Sequence, residues 1–263
     1  MQAWATRLGT TLAAGTVVTV RQKVNAVFAA ALADRLITVN PCTGLRLPRP
    51  AGRQVHPLGH LEVVAMAEAV PARYRALILA GAGTGMRQGE LLGLSVDRVD
   101  FLRRTLRVDR QLVTTVGRPP EFAPTKTPAS VRTIPVPSVV LEALTAHLQA
   151  HGTGPGGLVF TADDGGPVRR NYAGRLWRAA ARRAGVEGRS FHDLRHYCAS
   201  VLIASGASVK VVQHHLGHAT ASQTLDVYSH LWPEDEDRTR TALEVALRAA
   251  VSPACHEAPG QEA

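Results

Sequence analysis

The stretch Ser190–Tyr228, SFHDLRHYCASVLIASGASVKVVQHHLGHATASQTLDVY, alternates helix-start with helix-stop signals. Ser190 and Asp193 have capping-box spacing, which predicts a helix from about Phe191. On that helix His192 and Arg195 stand three apart and share one face of the first turns. Gly206 ends it, Ser208 caps the next helix, and Gly217 ends that one. His218 is thereby presented from a turn, aimed by the backbone. Tyr228 follows ten residues later.

Outward from this stretch the same reading gives the fold class. Leu58–Ala82 is helical with a break near Pro71, and the turn Gly83-Thr84-Gly85 feeds a short helix from about Met86 carrying Arg87 and Glu90. Between Val99 and Val136, the short alternating runs Thr105–Val108 and Arg132–Val136 predict a small antiparallel sheet. Ser138 caps a helix to about His151, and another covers Asn171–Ala184. Near the start, Val17–Val39 has apolar residues at helical steps, stopped by Asn40-Pro41. The expected class is mainly α with one small antiparallel sheet (α+β).

Pro48, Pro50 and Gly52 alternate with Arg46, Arg49 and Arg53, reading as a basic linker over 46–57. It separates a helical unit, 1–45, from a larger domain, 58–250, with a loose tail over 251–263. After Tyr228, the acidic run Glu234–Asp237 precedes a helical Arg238–Ala249 bearing Leu243, Val245, Ala246 and Leu247. That helix packs either on its own core or on a neighbour.

The 263 residues carry 30 Lys plus Arg against 21 Asp plus Glu, a net charge of +9. Such a surplus points to a polyanion, first of all nucleic acid. Seven cations against Asp34 alone lie in the first 55 residues, as an electrostatic clamp requires. Aromatics, at 5%, are too few for an extended single-strand stacking platform. The three cysteines form no CxxC pair and fit a reducing, cytoplasmic setting. No run reaches the roughly 18 apolar residues of a membrane span. The uncharged Leu8–Val20 is too rich in Thr and Gly for a signal-peptide core.

Each candidate has a plain alternative. An arginine on a helix can be a solvated charge, and Glu90 can orient Arg87 or merely pair with it at the surface. Tyr228 can be core packing. Among five clustered histidines, His214 and His218 have the spacing of zinc ligands. Gly217 breaks the helix that would align them, and no acid or cysteine is suitably spaced, so no metal is expected.

Taken together, TGMRQGEL, HDLRH, LGH and TLDVYSHL resemble the catalytic motifs of the tyrosine recombinase (phage integrase) family. The resemblance runs from about Thr16 to Trp232. It matches Arg87, His192, Arg195, His218 and Tyr228 to the family's motifs, and Lys126 in PTKTPASVRTIPV to its hairpin lysine. It implies a site-specific recombinase that cuts and rejoins double-stranded DNA through a 3′-phosphotyrosine, without cofactor. Tyr228 is then the nucleophile, Arg87 and Arg195 clamp the phosphate, and His218 adds a donor. His192 acts as base or relay, and Lys126 protonates the leaving oxygen. The front resembles only the last half of a core-binding domain, with Arg21, Lys23, Arg46, Arg49 and Arg53 as DNA contacts. The alternative is a DNA-binding remnant unable to recombine. The family pattern also implies a monomer in solution that forms a tetramer on DNA, its tail docked on a neighbour.

Overall fold

The computed structural model describes residues 1–48, 54–115, 117–232 and 236–251. The chain divides into two units, Met1–Gln54 and Val55–Ala263. Arg49, Arg53 and the tail 252–263 lie outside the described residues.

The first unit holds α1 (Gln2–Thr11) and α2 (Ala14–Ala33). Sequence reading did not foresee α1. The Gln2 side chain donates to the Arg46 carbonyl at 3.0 Å and accepts from its amide at 2.9 Å, tying the exit segment to the chain start. Helix α2 ends at Ala33, six residues short of the expected Val39. The Arg35 amide donates to Leu32 O and the Leu36 amide to Ala31 O, a Schellman turn. Arg35 occupies its left-handed position, φ 56°, where glycine is usual. Only Ala5, Val17 and Cys42 are buried apolar residues of this unit among those described, while Val27, Leu36 and Val39 are largely exposed.

In the second unit, α3 (His60–Ala69) and α4 (Ala72–Thr84) are the two helices expected on either side of Pro71. Helix α4 is the core of the unit, with Tyr74, Leu77, Ile78, Ala80 and Thr84 all buried. Its Gly81 and Gly83 permit close approach. A Cβ there would lie 2.8 Å from Leu194 Cδ1 and 2.5 Å from Val140 Cγ2. These atoms belong to α8 (Asp193–Ala204) and α6 (Ser138–His151), which pack against α4. Pro137, not Ser138, is the cap residue of α6, and Ser138 is its first helical residue.

A short α5 (Gln88–Leu92) leads into the sheets. Strands β1 (Val99–Asp100), β2 (Thr105–Val108) and β5 (Arg132–Pro135) form one antiparallel sheet in the order β1-β2-β5, with Leu106 opposite Ile134. A separate hairpin pairs β3 (Arg110–Val113) with β4 (Glu121–Pro124). Helix α7 (Arg170–Arg183) buries Ala173, Trp177, Ala180 and Ala181 and turns its arginines outward. Helices α9 (Val209–Leu216) and α10 (Ala221–Tyr228) then build a second, smaller core with α8.

The stop signals act as the sequence indicates. Gly206 and Gly217 both have positive φ, and Ser208 Oγ accepts from the Val211 amide. Helix α8 begins at Asp193 rather than Phe191, and the Asp193 carboxylate accepts from both the amide and the hydroxyl of Ser190. The last helix, α11, spans Glu236–Val251. Its Leu243, Val245 and Leu247 are about 60% exposed.

Candidate active site

Arg87 sits at the mouth of α5, just past the left-handed Gly85 that ends α4. Its Nη1 donates to Glu90 Oε1 at 2.7 Å and to Ser130 Oγ at 3.0 Å, and its Nη2 donates to the Gly217 carbonyl at 3.0 Å. Glu90 is buried, so the surface-pair alternative fails. Its Oε2 accepts from the Arg87 amide at 3.0 Å and from Arg132 Nη2 at 3.1 Å. Desolvation is the largest influence on this carboxyl and pushes its pKa up. The charge of Arg132 and the hydrogen bonds from Arg87 outweigh it, and the net shift is downward.

Arg132 is a residue that sequence reading missed. It is buried and also donates through Nε to His215 O at 2.7 Å and through Nη1 to Ser130 O at 2.9 Å. The signal was present, since β5 alternates and Arg132 shares its inward face with Ile134 and Val136.

Arg195, on α8, is 2% exposed. Its Nη1 donates to Gly85 O at 2.8 Å, and its buried Nη2 has no hydrogen-bond partner among the described residues. Burial, then the nearby charges of Arg87 and Arg132, bring its pKa down to about 10, so it remains a cation at neutral pH.

His218 follows Gly217, and its Nδ1 lies 2.8 Å from Thr224 Oγ1. Desolvation, then Arg195 and Arg87, lower its pKa to about 4. His192 stands just before α8 with one edge in solvent. Desolvation, then His196 and Arg195, bring it also to about 4. Both rings are therefore neutral at pH 7.

Tyr228 ends α10 and is buried. Its hydroxyl lies 2.8 Å from His196 Nδ1, and its ring stacks on His218 with centroids 6.4 Å apart. Burial pushes its pKa up to about 12, although Arg195 acts in the opposite direction. His196 is the second residue that sequence reading missed, having weighed it only among metal candidates.

Arg87, Arg195, His192, His218 and Tyr228 thus come together. Lys126 does not join them by direct contact. It is exposed in the bend after β4, beyond the hairpin, four residues from the Ser130 that accepts from Arg87. In the other unit, Lys23 and Arg46 are exposed, whereas Arg21 is half-buried and donates to Cys42 O at 3.1 Å. Of the other clustered histidines, His215 is buried with its Nε2 3.6 Å from Cys198 Sγ, and His214 is exposed. Among the described residues no three His, Cys, Asp or Glu side chains gather as a metal site would need.

The chain matches the phage integrase family over residues 59–234. It is 32% identical over 234 residues to a XerC-like tyrosine recombinase of Caldanaerobacter subterraneus subsp. tengcongensis, covering 78% of this chain and 60% of that protein. It is 31% identical over 218 residues to the tyrosine recombinase XerD of Mycobacterium leprae, covering 74% and 63%. The chain thus spans about 60% of the length of these curated relatives. Its fold is that of the Tn1549 transposon integrase solved with a circular intermediate DNA. The TM-score is 0.79 at 22% identity, over 93% of this chain and 84% of that one. No helix among the described residues is long and apolar enough to cross a membrane.

Proposed function

The chain belongs to the phage integrase family of tyrosine recombinases, and we propose that it is a site-specific recombinase cutting and rejoining double-stranded DNA through a 3′-phosphotyrosine at Tyr228. The observation that carries this reading is the convergence of two guanidiniums, a turn-presented histidine and a tyrosine around one buried corner. A phosphodiester repels nucleophiles, and its transition state gathers further negative charge. Arg87 and Arg195 hold permanent charge against it, and His218 adds a donor. Loss of one such preorganised donor costs roughly 3–4 kcal/mol, about a hundred- to a thousandfold in rate.

Tyr228 attacks phosphorus, and the 5′ oxygen leaves with a proton from Lys126, the role the family resemblance implies. The exposed bend of Lys126 suits a group that arrives with the substrate. His192 serves as base or relay. Because the phosphotyrosine keeps the ester's energy, a 5′-hydroxyl from another strand can reverse the step, without a metal or other cofactor. Exposed Arg170, Arg175 and Arg178 on α7, with Lys23 and Arg46, support duplex DNA as the partner.

The protein acts in the cytoplasm, as a monomer in solution and a tetramer on DNA. The exposed apolar residues of α11 support the tetramer. So does an apolar groove of about 980 Å³, walled by Val64, Val139, Val201 and Val211, that could seat a neighbour's tail. The test of the central reading uses a nicked suicide duplex bearing a site selected from random DNA. The wild type should leave a covalent adduct that Tyr228→Phe abolishes. An adduct persisting in Tyr228→Phe would sink the assignment, and binding without any adduct would favour the remnant.

A further inference from the structure

A phenol with its pKa pushed to about 12 cannot attack without a base at its oxygen. Among the described residues, two rings lie against Tyr228. His218 stacks on it, but the Nδ1 of His218 is engaged with Thr224 Oγ1. His196 meets it edge-on at 5.5 Å between centroids and puts Nδ1 2.8 Å from the hydroxyl. That distance is within the reach a general base requires. His192 makes its ring contact with His196, edge to face at 4.8 Å.

We propose that His196 is the catalytic residue that accepts the Tyr228 proton as the tyrosine attacks, an inference that rests on Tyr228 being the nucleophile. In the step, the Oη–H bond breaks and the proton passes to Nδ1 of the Nε2–H tautomer. The Oη electron pair forms the bond to phosphorus while the bond from phosphorus to the 5′ oxygen breaks, and that oxygen takes its proton from a separate donor. In the reverse step His196 returns the proton to Tyr228. Placement favours this role. His196 follows Arg195 directly on α8, so one helix carries both a phosphate clamp and the proton acceptor. The charged and titratable groups around the pair include Asp193, Arg195 and Cys198 of α8, His192 at its cap and His218 in the turn before α10, with Arg87 acting on both His192 and His218. His192 then stands one ring away, as a relay.

The experiment measures single-turnover cleavage of the suicide duplex across pH for the wild type, His196→Ala, His196→Asn and His192→Ala. DNA affinity and thermal melting are recorded for each. His196→Ala should cleave about a hundredfold more slowly at neutral pH with DNA affinity unchanged. The defect should narrow as pH climbs toward the ionisation of the tyrosine itself, and added imidazole should restore part of the rate. His196→Asn keeps an acceptor oxygen but no base, so it should be as slow as His196→Ala. Wild-type or faster cleavage by His196→Ala, or rescue by Asn, overturns the proposal. Persistence of the adduct in Tyr228→Phe would instead overturn the nucleophile, a separable failure. If His196→Ala melts too low to assay, the Asn comparison and imidazole rescue at low temperature still decide it.

Discussion

Arg132 and Glu90 form a buried ion pair whose members each have further work. The guanidinium reaches three elements, holding Glu90, the carbonyl of Ser130 and the carbonyl of His215. Glu90 in turn fixes Arg87 by its amide and its Nη1. Removing one partner of such a pair strands the other without solvent. Arg132→Met is therefore expected to cost about 3–5 kcal/mol in urea unfolding; a loss below about 1 kcal/mol would refute the network as drawn. The same pair sets an acid limit. Folding lowers the Glu90 pKa from its usual 4.5, so the unfolded chain binds this proton more readily than the folded one. That contribution is fully present above pH 4.5 and lost as pH falls through the folded value. Urea midpoints should decline below pH 4.5 in the wild type, and Glu90→Gln should show a flatter acid limb. Arg87 and Tyr228 were legible because motif and spacing announce them. Arg132 was half legible, because strand alternation places it inward but its partner Glu90 lies 42 residues away; His196 was not, because its importance lies in a contact across 32 residues of chain.

Helix ends decide how the site is aimed. Schellman turns close α7, α8 and α9 with Gly185, Gly206 and Gly217 in the left-handed position, and glycine made the last two stops readable. The same turn closes α2 with Arg35 in glycine's place, which is why the periodic apolar pattern carried the expected helix on to Val39. Gly217 differs from Gly206 in what surrounds it. A Cβ at Gly217 would lie 3.0 Å from Arg132 Nη1 and 3.1 Å from Ala129 O, whereas nothing lies within 4 Å at Gly206. Alanine at either position strains a positive φ and should lose roughly 1–2 kcal/mol of stability. At Gly217 it also presses on Arg132 and shifts the carbonyl that Arg87 holds, together with the following His218. Gly217→Ala should therefore slow cleavage by tenfold or more, in the range of one weakened donor, while Gly206→Ala leaves the rate near wild type. Equal rates at matched folded fractions would show that the turn does not aim His218.

At the scale of the whole molecule, charge and core are divided unequally. Seven cations against one anion give the first unit six of the nine net charges, yet three buried apolar residues are all the core described for it. The second unit holds the remaining charge and both larger apolar clusters. The charge asymmetry was legible from composition, and the division after Gln54 falls within the Pro-, Gly- and Arg-rich stretch 46–57. Which residues make up the thin core of the first unit was not legible, because α1 and the early end of α2 emerge only in three dimensions. The two roles should separate experimentally. Residues 55–263 alone have a core able to melt cooperatively, whereas residues 1–54 alone bury too little apolar surface to do so. If Lys23 and Arg46 contact phosphates, removing 1–54 also removes released counterions. Each lost contact should make the slope of log affinity against log salt shallower by about 0.9. Anisotropy titrations of one labelled duplex over a range of salt, with residues 1–263 and with residues 55–263, measure this. A slope unchanged by the removal would mean that the basic first unit leaves the DNA backbone untouched. The clamp would then have to be sought among the outward arginines of α7.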